Sequence, residues 1–116
     1  MIELDRMALL VKPKAPFLDW VNQVSEEKTT LKALRENCTI LLVPLLENDK
    51  ELQQYIHGSY HSLFTQELAS WCEDDSLWPP SRSITLFNQF FEVEVHSFVY
   101  DGVMSEYEHL EAVTLQ

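Results

Sequence analysis

The pair Pro79–Pro80 limits what this chain can fold into more than any other feature of its 116 residues. Each proline fixes its own φ and lacks an N–H, and the second also biases the first away from helical backbone, so no helix crosses this point. The helical pattern before it must stop, and the segment SITLFNQFFEVEVHSFVYDG after it must start afresh. Ser81 or Ser83 supplies the N-cap of a new helix in which Ile84, Phe87, Phe90 and Phe91 share one face. Beyond it, Phe91, Val93, Val95 and Val99 alternate inward against Glu92, Glu94 and His96 outward, which is the pattern of a half-buried strand. Phe87, Phe91, Glu94, Val95 and Phe98 also fit a continued helix, but the β-branched content favours a strand.

Upstream, MALLVK (7–12) is a first strand that Pro13 terminates, and Pro16 opens a helix whose apolar face is Phe17, Trp20, Val21 and Val24. Thr30 caps a short helix through Arg35 with Leu31 and Leu34 inward, and Asn37 takes a left-handed conformation at its end. TILLVPLL (39–46) is a continuous apolar run, expected to be covered on both faces at the centre of the sheet, with Pro44 at a strand end or an edge. Asn48 and Glu51 resemble a capping box for a long helix to about Cys72, with Leu52, Ile56, Leu63, Phe64, Leu68 and Trp71 inward. Gly58 falls in mid-helix, which points to close packing or a slight break. The segment SEYEHLEAV (105–113) adds one or two acidic helical turns or frays.

The early MALLVKP and PFLDW and the late WPPSRSITLFNQFFEVEVHSFVYD resemble a family of small uncharacterised bacterial proteins, a domain of unknown function. The resemblance implies a bacterial cytosolic origin and brings no activity, ligand or catalytic residue with it.

Charge narrows the function classes. Residues 1–50 hold seven Lys or Arg against eight Asp or Glu, whereas residues 51–116 hold Arg82 alone against eleven acids. Such a field repels phosphate backbones and argues against direct nucleic-acid binding; it serves simple solubility, the ordinary role of such charge, or attracts a basic protein partner. No run nears the about 18 apolar residues of a membrane span. Glu3 and Asp5 stand where a signal peptide carries positive charge, so a cytoplasmic protein is expected. Cys38 and Cys72 fit neither a disulfide framework nor a zinc motif and are expected reduced and buried.

Few constellations carry chemistry. His57 and His61, four apart on the long helix, are weak metal candidates, since Gly58 stands where a zinc-protease helix has Glu and no third ligand is at hand. Glu106 and His109 form one E-x-x-H pair where di-iron bundles need two. Neither cysteine, nor Ser59, Ser62 or Ser97 beside the histidines, lies in a nucleophile motif, and two isolated glycines build no phosphate loop. No cofactor is implied. Trp78, Arg82 and His96 form a binding candidate if the second helix folds back beside the last strand; the ordinary role for Arg82 is an ion pair with Glu73, Asp74, Asp75 or Glu92.

The expected fold is one α+β domain over 1–116: a small sheet of about three strands with helices packed mainly on one face. A sheet this small leaves edges, and three Trp with six Phe favour completing the core by self-association. The leading functional expectation is therefore a non-enzymatic cytosolic interaction or assembly protein acting as a homodimer. The alternatives are a small enzyme or ligand-binding protein with its pocket between helix and sheet or at the dimer seam, and an acidic mimic of nucleic acid that occupies a basic protein.

Overall fold

The computed structural model describes residues 1–104 and shows an α+β fold. A seven-residue strand, β2 (Met7–Pro13), is central, with β3 (Thr39–Val43) and β4 (Phe91–His96) antiparallel on either side of it. Before β2 lies β1 (Ile2–Glu3), which pairs with β5 (Tyr100–Asp101). The helices are α1 (Ala15–Val24), α2 (Leu31–Glu36), α3 (Asp49–Trp71) and α4 (Ile84–Phe90). No described helix is long and apolar enough to cross a membrane.

Local chemistry sets most boundaries. Thr30, Asn48 and Ser83 each accept a hydrogen bond from the backbone N–H three residues on, as N-caps do. Pro16 lies in the first turn of α1, where its missing N–H costs nothing. Asn37 does not become left-handed: its φ is −121°, and its side-chain amide instead donates to the Ala33 carbonyl, one of the orphan acceptors at the end of α2. After Pro80 the chain restarts at Ser83, and the helix–strand ambiguity resolves as helix to Phe90 and strand from Phe91, with no loop between. The Lys14 N–H donates to the Phe90 carbonyl at 2.8 Å, and Phe91 then pairs with Pro13 at the end of β2.

The register separates the two faces of the sheet. Leu9, Val11, Val43 and Phe91 point to one face and are buried under the helices. Ala8, Leu10, Lys12, Ile40, Leu42, Glu92, Glu94 and His96 belong to the other. Among the described residues the strand expected at the centre is therefore an edge, covered on one face only: Ile40 is 61% and Leu42 51% exposed. An apolar run reports that its side chains avoid water, not that its own chain supplies the cover.

The β2–β4 ladder continues into β1–β5 after an offset. Between the pairs Ala8–His96 and Glu3–Tyr100, residues 4–7 face residues 97–99, one extra residue on the first strand, and the Leu4 N–H still reaches the Val99 carbonyl at 2.8 Å. The mismatch is a bulge of the kind that bends a ribbon and re-aims side chains. Phe98 lies in it, 79% exposed.

Five of the six phenylalanines meet in the core. Phe91 lies 4.7 Å from Phe17 and 5.2 Å from Phe87 between ring centroids, and Phe64 packs edge-on against Phe87, Phe90 and Phe91. The aromatic load is thus satisfied within one chain and gives no reason of its own for self-association. On α3, Ile56, Leu63, Phe64 and Leu68 are buried as the pattern requires, but Trp71, in the last turn, is exposed. Cys38 and Cys72 are free and half-buried rather than buried.

Phe87→Ala and Phe90→Ala are each expected to cost about 3–5 kcal/mol in urea melts, since each removes a buried ring and leaves a cavity. A parent-like melt for either would place that ring at the surface. Gly58 is neither a break nor a close contact, because α3 runs through it and a Cβ there would meet nothing within 4 Å. Gly58→Ala is accordingly expected to raise stability by about 1 kcal/mol, and an unchanged urea midpoint would contradict it.

Candidate functional site

Of the three residues expected to form a binding site, the fold brings two together. Trp78 follows a one-turn 3-10 helix (Asp75–Leu77), and its indole N–H donates to the Cys72 carbonyl at 2.8 Å, which fixes the ring against the core. Arg82 lays its guanidinium over that ring, 5.5 Å from the centroid. Such a stack contributes about 0.5–1 kcal/mol at a partly exposed site. The ion pair expected of Arg82 does not form among the described residues. Asp74 instead accepts from the hydroxyl and the backbone N–H of Ser76, which, the hydroxyl first, hold its carboxyl below the usual range, and Glu92 faces Arg35 at 3.6 Å. The Arg82 Nε is buried without a hydrogen-bond partner, so the stack is bought with a desolvated N–H.

His96 stands apart. It sits at the far end of β4 on the open face, where its Nε2 lies 2.9 Å from Glu94 Oε1. Glu94 also pairs with Lys12, and these two contacts, Lys12 first, hold its carboxyl below the usual range. The separation has a simple cause: α4 turns directly into a strand, and the strand carries position 96 away from the proline break.

His57 and His61 are exposed on α3, with Tyr60 between them at ring distances of 6.0 and 6.3 Å. Among the described residues no group of three or more His, Cys, Asp or Glu is placed to hold a metal. The shallow hollow beside His57 is lined by Lys50, Gln53 and Gln54, all from the same helix, which gives a ligand one wall and no enclosure. Glu106 and His109 lie outside the described residues.

Two features escape sequence reasoning. The first is Glu67, which sits on the buried stripe of α3 at 8% exposure; its place between Phe64 and Leu68 was the available signal. Desolvation raises its pKa, and a hydrogen bond from Thr39 offsets part of the rise. The second is the open face of the sheet, where Ile40 and Leu42 lie beside half-buried Leu10. The Lys12–Glu94–His96 cluster adjoins that apolar strip on the β4 side.

A carboxyl whose pKa is higher folded than unfolded binds more protons in the native state between the two values. Stability therefore falls as pH rises from the ordinary carboxylate range through the raised value. Glu67→Gln is expected to lift the urea midpoint at pH 7 and to flatten that fall; a variant with the parent's pH profile would mean that the carboxylate stays solvated. No protein-family model, curated protein or solved structure matches this chain.

Proposed function

We propose that the protein is a non-enzymatic interaction module that acts as a homodimer. The observation that supports this reading best is the uncovered sheet face: an edge strand that exposes Ile40 and Leu42 beside Leu10. Apolar residues scattered singly over a surface need no explanation, but a contiguous apolar strip on a sheet edge is characteristic of a contact. Magnitudes limit the reading. Burying the exposed remainder of one Ile or Leu is worth about 1–1.5 kcal/mol, so two such residues from each copy give about 4–6 kcal/mol. Association costs about 4–15 kcal/mol in lost freedom, so these side chains reach only its lower end and need further contacts beside them.

The acidic-mimic reading has less support, because the acids of the second half that lie among the described residues do not form one face. Glu67 is buried, Glu92 and Glu94 are answered by Arg35 and Lys12, and Glu73, Asp74 and Asp75 form a separate group at the turn after α3. A ligand-binding reading would rest on Arg82, whose guanidinium is occupied with Trp78.

Light scattering at micromolar concentration, over a tenfold dilution and at moderate salt, is expected to give the mass of a dimer. A monomer mass throughout would overturn the reading.

A further inference from the structure

We propose that two copies join edge to edge through β3, antiparallel about a two-fold axis at Leu41, to form one six-stranded sheet in the order β4-β2-β3-β3-β2-β4. This deepens the homodimer reading and rests on it. Among the described residues β3 pairs with β2 only, and no backbone hydrogen bond reaches its other side. A strand in that position presents a row of N–H and C=O groups ready for another strand, and proteins normally block it with charge, proline, a bulge or a covering element.

The two edges of this sheet differ in that respect. β4 carries Glu92, Glu94 and His96 on its open face and runs into the bulge at residues 97–99. β3 carries no charge at all, and none occurs from Cys38 to Leu46. Pro44 follows it immediately and stops any ladder there rather than along the strand.

Charge also selects the occupant. With a net charge of −11, copies of this chain repel one another except where a contact avoids the acids, and residues 38–46 offer such a stretch. A basic partner would find no carboxylate there to bind. A second copy finds a self-complementary strand, as a two-fold interface requires. The axis stands perpendicular to the sheet, so each residue meets one from the same face. In the register that uses the whole strand, Leu41 meets its own counterpart, Ile40 meets Leu42, and Thr39 meets Val43. The helices of both copies then lie on one side. The four exposed Ile and Leu side chains gather on the other, and the backbone pairing supplies what those side chains lack. A slip by two residues leaves strand residues unpaired, and a slip by one would set residues of opposite faces against each other, which a two-fold axis perpendicular to the sheet forbids.

Cysteine pairing in solution tests the register. In a background with Cys38→Ser and Cys72→Ser, Ile40→Cys and Leu42→Cys are made separately, each at an exposed position that spares the core. Directly opposite Cα atoms in an antiparallel pair lie about 4.5–5.5 Å apart, within disulfide reach, whereas positions two residues out of register lie beyond about 7 Å. Equilibrated and mildly oxidised, a mixture of the two variants is expected to give several-fold more disulfide-linked dimer than either variant alone. If the parent is a dimer by light scattering but cross-links form within a single variant, or in none of the samples, edge pairing is overturned and the homodimer stands. If the parent is a monomer, both fall together.

Discussion

The step from Phe90 to Phe91 holds this fold together. At Phe90 the chain is still helical, and at Phe91 it is already a strand, with both rings buried. A helix continued past that point would move Phe91 out of the cluster it shares with Phe17, Phe64 and Phe87 and would leave the end of β2 without its partner. The backbone bond from Lys14 to Phe90 ties the start of α1 to the same spot. One junction therefore sets where α4 ends, where β4 begins and how α1 leaves the sheet.

What the sequence made legible follows from this physics. Caps, prolines and apolar periods act over a few residues, so Thr30, Asn48, Ser83 and the stripes of α1 and α3 could be read directly. The two-residue strands β1 and β5 carry no pattern of their own; they exist because β2 and β4 deliver them side by side. The placing of β3 at the sheet centre failed for a different reason. Ile40 and Leu42 have the composition of core residues, and no local signal states whether core is furnished by the same chain.

The candidate site was legible to the same degree. Trp78 and Arg82 are four residues apart across a proline break and meet through local geometry. His96 depends on the direction of β4, which is a property of the sheet. The expected partner of Arg82 is a carboxylate because several stand nearby in sequence, but two of those acids are held by other groups, Asp74 by Ser76 and Glu92 by Arg35. Proximity in sequence overstates the reach of a long side chain whose terminus can settle on a ring instead.

The pairing of β2 with β4 has a kinetic aspect. The central strand lies near the beginning of the described chain and one of its two neighbours near the end, so α1, α2, β3, α3 and α4 form a single loop that this ladder closes. During synthesis the side of β2 that faces β4 stays unpaired until residues 91–96 have been made, while Phe17 waits for Phe91. Long-range closure of this kind slows folding more than it weakens the finished structure: doubling the length of a loop adds only about 0.6 kcal/mol. Until β4 is made the chain therefore resembles an open clasp, with its most buried strand exposed to whatever binds nascent polypeptides.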